Sequence, residues 1–216
     1  NQEAAYFGEF VSTAGDVNGD GFSDVLVGAQ SFDNGQDREG RAFLYLGSAD
    51  GPAVNAGWIT ESNQATADFG QSVSSAGDVN GDGYSDVIVG APRYDNGQTN
   101  EGRAFLYHGS RSGPGLIPAW TAESNQASAG FGQSVSSAGD VNDDGYSDVI
   151  VGAWFYDNGQ TDEGRVYVYH GSVTGLSAAP ARILESNQAS SAFGVSVATA
   201  GDVNGDGYTD VILGTW

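Results

Sequence analysis

The chain has 216 residues, enough for one compact domain with a sizeable hydrophobic core. Its seven basic residues, all arginine, stand against 28 acidic ones, and the formal charge of −21 disfavours nucleic acid and anionic membranes as partners. The absence of cysteine excludes disulfides and thiol chemistry, and no apolar run is long enough to insert into a membrane.

The sequence repeats every 62 residues, and each repeat opens with Asn-Gln. Units two and three are identical at most positions. Self-similarity at a fixed period indicates an array of one structural unit. The predicted units are 1–62, 63–124, 125–186 and a partial unit, 187–216.

Four strands are predicted in each unit, and unit two shows the pattern. Weak alternation over Phe69–Gly77 precedes an acidic loop, and the apolar run Ser85–Ala91 suits a strand that is buried on both faces. An Asn-Gly turn at Asn96–Gly97 leads to a third strand over Arg103–Ser110, and a fourth strand is predicted around Trp120–Glu123. No segment has a helical period, so we predict an all-β fold.

An acidic loop of nine residues lies between the first two strands of every unit. Its copies read DVNGDGFSD, DVNGDGYSD, DVNDDGYSD and DVNGDGYTD. Oxygen side chains at positions one, three, five and nine, with a backbone carbonyl at position seven, form the donor set that calcium prefers. We expect one Ca²⁺ in each of the four loops. The predicted ligands are Asp16, Asn18, Asp20, Phe22, Asp24, Asp78, Asn80, Asp82, Tyr84, Asp86, Asp140, Asn142, Asp144, Tyr146, Asp148, Asp202, Asn204, Asp206, Tyr208 and Asp210.

The loop has two alternative interpretations. An EF-hand needs a glutamate at position twelve and a following helix, whereas position twelve of the first loop is Val27, inside an apolar run. Ordinary turn formation by Asp, Asn and Gly is the second alternative. In the third loop Asp143 replaces a glycine, and we expect the loop to tolerate it because that side chain need not point at an ion.

Four strands per unit, repeated, are typical of propeller blades. Phe69–Gly70, the acidic loop and Gly90–Pro92 together resemble the FG-GAP repeat, which builds the propeller of integrin alpha subunits and of bacterial and fungal relatives. The final proline of the motif is replaced by Gln30, Trp154 and Trp216 in the other units. The resemblance implies an FG-GAP-type β-propeller with three four-stranded blades and a two-stranded half blade. It also implies an extracellular or cell-surface location.

The face opposite the acidic loops holds the ligand in integrins, and the loops that should lie there carry mostly aromatic residues. Aromatic loop residues on a rigid scaffold are good contacts for carbohydrate or protein, although packing against neighbouring blades is an equal alternative. The predicted ligand-binding residues are Phe32, Arg93, Tyr94, Trp154, Phe155 and Tyr156.

Three further patterns are interpreted as structural. His108 and His170 should lie at strand ends, because no metal-binding partners accompany them. The recurring Glu-Gly-Arg, first at Glu39–Arg41, should form a salt bridge or lock a hairpin. Trp58 aligns with Trp120 and Arg182, so we expect this position to face solvent on an outer strand.

These features predict a calcium-stabilised, non-catalytic module for binding or scaffolding, with protein adhesion and carbohydrate recognition as competing roles. No nucleophile and base recur together, so an enzyme is not expected. The alternatives are a designed or excised propeller fragment with an assembly role, which the absence of methionine allows, and an ancillary domain of a secreted hydrolase or lyase. Because family propellers usually have seven blades, we expect two copies to form a homodimer that completes a ring.

Overall fold

The computed structural model describes residue 2 and residues 4–216, and this part of the chain is all-β. It contains fourteen strands, arranged as three four-stranded sheets and one two-stranded sheet. No helix among the described residues could span a membrane. The predicted architecture of three blades and a half blade is therefore confirmed.

Each sheet is one blade, with its strands hydrogen-bonded in chain order. Blade one contains β1 (Val11–Gly15), β2 (Asp24–Ala29), β3 (Arg41–Tyr45) and β4 (Trp58–Glu61). Blade two contains β5 (Ser72–Gly77), β6 (Asp86–Ala91), β7 (Arg103–Tyr107) and β8 (Trp120–Glu123). Blade three contains β9 (Phe131–Gly139), β10 (Asp148–Ala153), β11 (Arg165–Tyr169) and β12 (Arg182–Glu185). The half blade contains β13 (Val197–Gly201) and β14 (Asp210–Leu213).

Neighbouring strands are antiparallel, and the first strands of successive blades contact one another, β1 with β5, β5 with β9, and β9 with β13. In each blade the pairing of the first two strands shifts register just before the acidic loop, at Ser75 and Gly77 in blade two. Gly77 has a φ of +73°, which a glycine adopts at little cost. The predicted unit boundaries lie in the connections between the fourth strand of one blade and the first strand of the next.

The second strand of each complete blade is largely buried, whereas β14, the second strand of the half blade, is partly exposed. All six residues of β6 and of β10 are buried, as their apolar sequence predicts. The backbones of adjacent blades meet at glycines: a β-carbon on Gly90 would lie 1.9 Å from the carbonyl oxygen of Gly132. Gly28 opposite Gly70, and Gly152 opposite Gly194, repeat this contact at 2.0 Å. Glycine is therefore needed on the second strand because the next blade leaves no room for a side chain.

The predicted solvent exposure of Trp58 is wrong, because this residue is only 6% exposed. Its ring packs edge-on against Tyr107 of blade two, with centroids 5.0 Å apart, and its Nε1 donates a hydrogen bond to the carbonyl oxygen of Gly115 at 2.9 Å. Trp120 repeats both contacts with blade three, whereas Arg182 is exposed. The outer strand of a blade is thus covered by its neighbour, which the sequence of one unit could not indicate.

Candidate functional site

The acidic loops close on themselves through backbone hydrogen bonds, and the loop between β5 and β6 shows the pattern. Oδ1 of Asp78 accepts hydrogen bonds from the N–H groups of Gly81 at 2.7 Å and Asp82 at 3.1 Å, and its Oδ2 accepts one from Gly83 at 2.9 Å. Oδ1 of Asp82 accepts the N–H of Tyr84 at 3.0 Å. The first and fifth positions therefore shape the turn through the same oxygens that were predicted to bind calcium.

The aspartate at position nine ties two loops together. Asp86 is fully buried, and its two oxygens accept the N–H groups of Val79 at 2.9 Å and of Gly109 at 2.8 Å. Gly109 lies in the connection between β7 and β8, so this carboxylate joins the acidic loop to the neighbouring loop of the same blade. Asp24 and Asp148 make the equivalent pairs of hydrogen bonds in their blades.

Burial dominates the electrostatics of the position-nine aspartates in the three complete blades. Desolvation raises the pKa of Asp86 to about 7, although its two backbone hydrogen bonds oppose the shift, and the nearby charges of Asp82 and Asp78 add to it. The pKa values of Asp24 and Asp148 are also raised, and desolvation is again the largest cause. In contrast, the pKa of Asp202, at position one of the fourth loop, is lowered, and the hydrogen bond from the backbone N–H of Gly207 is the largest cause. A bound cation would offset the electrostatic cost of keeping a buried carboxylate such as that of Asp86 ionised.

The structure places the twenty predicted calcium ligands in four loops at one end of the blades. Within residues 2 and 4–216, no three acidic or histidine side chains are arranged around a common point that could hold a metal ion. The donor chemistry nevertheless fits calcium, because every predicted ligand is an oxygen and an oxygen that accepts a single hydrogen bond, such as Oδ2 of Asp78, keeps a second lone pair, whereas Oδ1 of Asp78 already accepts two. The calcium sites remain a prediction.

Asp143 occupies a left-handed position at which the other three loops have glycine. Its φ is +58°, against +71° to +76° for Gly19, Gly81 and Gly205. Aspartate visits this region at a small cost, and Asp143 also adds a fourth carboxylate to its loop. We predict that Asp143→Gly stabilises the calcium-free protein by about 0.5–1 kcal/mol in a urea titration. Ser190→Gly, at an exposed and uncharged residue with a φ of +58°, is the control for the backbone effect alone; equal gains would contradict the charge contribution.

Half of the predicted ligand-binding residues take part in a repeated structural cluster. The guanidinium carbon of Arg103 lies 4.7 Å from the centre of the Tyr94 ring, and Tyr94 packs edge-on against Phe105. Arg103 also forms a salt bridge with Glu123 on β8, at 2.5 Å. Phe32 and Tyr156 occupy the same place in blades one and three, with Arg41 and Arg165 as their arginines. These aromatic rings pack within their own blade.

The recurring Glu-Gly-Arg serves two separate contacts. The arginine bonds to the glutamate of the fourth strand, not to the glutamate of its own motif. Glu101 is instead fully buried in the connection between β6 and β7, and its Oε1 accepts the N–H groups of Asn96 at 2.6 Å and Gln98 at 3.3 Å. The motif thus holds both the loop and the outer strand of the blade.

The two histidines follow directly after β7 and β11, as predicted, and they have different surroundings. Nε2 of His108 is buried and has no hydrogen-bond partner in the described part of the chain. Nδ1 of His170 lies 3.0 Å from Nδ2 of Asn142, a predicted ligand in the third acidic loop. His170 therefore braces that loop from the neighbouring connection.

The remaining predicted residues, Arg93, Trp154 and Phe155, lie between blades at the end opposite the acidic loops. Arg93 lines a cavity of about 660 Å³ at the junction of blades one and two. Sequence reasoning missed two further members of this junction, Asp68 and Arg38. Asp68 is 2% exposed and pairs with Arg38 at 2.8 Å and with Arg93 at 3.3 Å. The sequence signal that could have identified Asp68 is a difference between repeats, since the equivalent positions hold Tyr, Gly and Ala.

Desolvation raises the pKa of Asp68, and the charges of Arg38 and then Arg93 oppose that shift. The buried carboxylate therefore depends on its two arginines for charge compensation. Trp154 and Phe155 stack with ring centroids 4.0 Å apart and line a second cavity, of about 270 Å³, between blades two and three.

Comparison with known proteins identifies the repeats. The family model described as FG-GAP repeat matches residues 7–45, 69–107, 131–169 and 193–215. The chain is 34% identical over 223 residues to integrin alpha-V of Gallus gallus, covering 98% of the chain and 20% of that protein. It is 32% identical over 228 residues to integrin alpha pat-2 of Caenorhabditis briggsae, covering 96% of the chain and 18% of that protein.

Integrin alpha-5 of Xenopus laevis is 31% identical over 224 residues, and the match covers 98% of the chain and 20% of that protein. The chain therefore spans about a fifth of the length of these relatives. Each of the first three matched segments spans the first three strands of one blade, and the fourth spans both strands of the half blade. The chain therefore belongs to the FG-GAP repeat family, with an integrin alpha-like propeller fold.

Proposed function

We propose that the chain is a calcium-stabilised, non-catalytic binding module of an extracellular or cell-surface protein and that its ligand is a protein. One observation carries this proposal: the repeat is regular in its strands and acidic loops, whereas residues at the opposite end differ from junction to junction. At the first junction these residues are Arg38, Asp68 and Arg93. Adhesion to a protein is also the role that the resemblance to integrins implies.

The ligand proposal is tested by immobilising the intact chain and measuring binding of purified extracellular-matrix proteins by surface plasmon resonance, with calcium present and after its removal. We expect saturable binding of at least one matrix protein, lost after chelation. If none of these proteins binds while a glycan array gives saturable signals, the role is carbohydrate recognition.

Carbohydrate recognition is the second candidate, and the grooves between outer strands favour it. One such groove, of about 430 Å³, lies between blades two and three and is lined by Tyr167, Tyr169, Arg103 and Glu123. Tyr167 and Tyr169 are buried, but partly exposed Tyr156 also lines the groove, and an aromatic ring beside charged hydrogen-bonding groups can contact a sugar ring and its hydroxyls. The glycan array described above distinguishes this candidate from protein binding.

Calcium in the four acidic loops is the structural part of the proposal. An ion that binds only the folded chain stabilises it by about 2.7 kcal/mol per site when its concentration is a hundred times Kd. We therefore predict that a chelator lowers the melting temperature measured by circular dichroism, and that added calcium restores it. Titration calorimetry should give four ions per chain. An unchanged melting curve in chelator would contradict a structural role for calcium.

We also propose that two copies associate. The first blade exposes Phe7 and Val11, which are 56% and 62% exposed, and the half blade exposes Val203 and Ile212, at 71% and 62%. Uncovered apolar residues on sheet faces favour association. Light scattering at micromolar concentration should give twice the 22.2 kDa of one chain. Val11→Glu with Ile212→Glu should reduce the mass to that of a monomer, and a monomeric unmodified chain would refute the proposal.

A further inference from the structure

Six asparagines of the chain are followed directly by glycine, and they lie in two different kinds of turn. Three belong to the acidic loops, and three belong to the DNGQ turns, residues 33–36, 95–98 and 157–160, which lie between the second and third strands of the complete blades. The six are, in the same order, Asn18, Asn80 and Asn204, then Asn34, Asn96 and Asn158.

An asparagine that precedes glycine can lose its side-chain amide without an enzyme. The backbone nitrogen of the glycine attacks Cγ of the asparagine, the N–Cγ bond forms as the Cγ–Nδ2 bond breaks, and the backbone proton leaves with Nδ2 as ammonia. Water then opens the five-membered ring at either carbonyl and gives aspartate or isoaspartate. The reaction needs a glycine nitrogen that can lose its proton and approach Cγ, so it depends on how the turn holds that N–H group.

In the acidic loops a carboxylate holds the glycine N–H. The N–H groups of Gly19, Gly81 and Gly205 each donate a hydrogen bond to Oδ1 of the first aspartate of their loop at 2.7 Å. A charge-assisted hydrogen bond of this kind stabilises the protonated nitrogen and fixes its position. A β-carbon on Gly81 would also lie 2.7 Å from the ring of Tyr146 in the next blade, which covers that turn. The acidic loops therefore resist the reaction.

The DNGQ turns leave the glycine N–H open. Within residues 2 and 4–216, the N–H groups of Gly35, Gly97 and Gly159 donate no hydrogen bond. Both residues of each Asn-Gly pair are exposed in these turns, and a β-carbon on any of the three glycines would meet no atom within 4 Å. The attacking nitrogen is therefore free to react, and water has access to the ring that forms.

We propose that Asn34, Asn96 and Asn158 are sites of spontaneous deamidation in the folded chain and that the modification breaks a link inside each blade. Nδ2 of Asn96 donates hydrogen bonds to Oε1 of Glu123 at 2.8 Å and to Oε2 at 3.1 Å, and the amides of Asn34 and Asn158 make the same contact in their blades. Deamidation replaces the donor by a carboxylate, so two carboxylates face one another. The turn then loses its bond to the fourth strand.

The turns of blades two and three differ in how firmly their backbone is held. Oε1 of Glu101 accepts the N–H groups on either side of Gly97, those of Asn96 and Gln98. In blade three the equivalent residue is Glu163, and neither of its carboxylate oxygens has a hydrogen-bond partner in the described part of the chain. The blade-three turn can therefore bring the glycine nitrogen to Cγ more easily, and Asn158 reacts faster than Asn96.

The test is incubation of the intact chain with calcium in mildly alkaline buffer, followed by proteolysis and peptide mapping by mass spectrometry. Circular dichroism checks that the chain stays folded during the incubation. We expect deamidation at the three DNGQ turns, faster at Asn158 than at Asn96. At the acidic-loop asparagines the rate should be at least about tenfold lower, the factor that corresponds to about 1.4 kcal/mol from one hydrogen bond to a charged group.

The same incubation in concentrated urea is the matched control, because the unfolded chain keeps all six Asn-Gly pairs and loses the contacts that distinguish them. The six rates should then become similar. Two results would overturn the inference: acidic-loop asparagines that react as fast as the turn asparagines in the folded chain, or turn asparagines that react in urea but stay unmodified in the folded chain.

The broken link is tested with two variants of one turn. Asn158→Asp reproduces the product of the reaction, and Asn158→Ser removes the amide without adding a charge. Both variants lose the bonds to Glu185, but only the aspartate places a second carboxylate beside it. We expect a lower urea denaturation midpoint for Asn158→Asp than for Asn158→Ser, and a lower midpoint for Asn158→Ser than for the unmodified chain. A midpoint for Asn158→Asp equal to that of the unmodified chain would overturn the proposed effect of the modification on the blade.

Discussion

Gly90→Ala is expected to destabilise the protein by about 3 kcal/mol, at the upper end of what overpacking usually costs. The added β-carbon would lie 1.9 Å from the carbonyl oxygen of Gly132 and 2.2 Å from Oγ of Ser72. Ser72 can rotate away, but the Gly132 oxygen belongs to the backbone of the next blade and can move only if the two blades separate. The loss is measured as a shift of the urea denaturation midpoint.

Gly115→Ala is the matched control for this prediction. A β-carbon there meets nothing closer than the carbonyl oxygen of Ile117 at 3.7 Å, and the φ of Gly115 lies outside the left-handed region. The substitution should change stability by less than about 0.5 kcal/mol, as surface substitutions usually do. Similar losses for both variants would show that blade contact at Gly90 is not the cause.

Asp86→Asn is expected to destabilise the protein by about 1–3 kcal/mol in chelator, and by more in calcium because Asp86 is also a predicted calcium ligand. Both carboxylate oxygens accept hydrogen bonds from buried backbone N–H groups, those of Val79 and Gly109. An amide offers one oxygen, so one N–H loses its acceptor and faces an NH₂ group, at a cost of about 1–3 kcal/mol for an unsatisfied buried donor. The free energy of unfolding is measured in calcium and in chelator.

Asp82→Asn distinguishes the contribution of calcium binding from the stability of the calcium-free fold in the same loop. Asp82 is exposed, and an asparagine oxygen can still accept the N–H of Tyr84. The variant should therefore lose stability in calcium, where one predicted charged ligand is missing, and should match the unmodified chain in chelator. Equal losses for Asp82→Asn in both conditions would contradict its role as a calcium ligand.

Much of the fold was predictable because two signals recur in every unit. The apolar runs Val87–Val89 and Val149–Val151 predict strands that are buried on both faces, and the structure confirms them, whereas the equivalent run of the half blade, Val211–Leu213, is partly exposed. The acidic loop and the FG-GAP motif predict the blade architecture and the family, and both are shown. The third strand of blade two was predicted to reach Ser110 but ends at Tyr107, because the backbone that follows it bonds to the acidic loop and not to a neighbouring strand. Thus Gly109 N–H bonds to Asp86, after β7 has ended at Tyr107.

The residues that one unit contributes to the next were not predictable from its own pattern. The burial of Trp58 depends on Tyr107 and Gly115, which lie far along the chain in blade two. The cluster around Asp68 depends in the same way on Arg38 from the preceding blade and Arg93 from its own. Local periodicity reports which face of a strand is buried, but it does not report the partner that covers that face.

The glycine contacts between blades have a consequence for a protein that bears tension. Contact between a strand and a neighbouring backbone is lost once the two separate by one or two ångströms, so a junction such as Gly90–Gly132 has little capacity to stretch. Pulled from its ends, the chain should hold until one junction ruptures and then release a whole unit at once. Each rupture of a 62-residue unit would lengthen the chain by up to about 210 Å, so the array would yield in discrete steps.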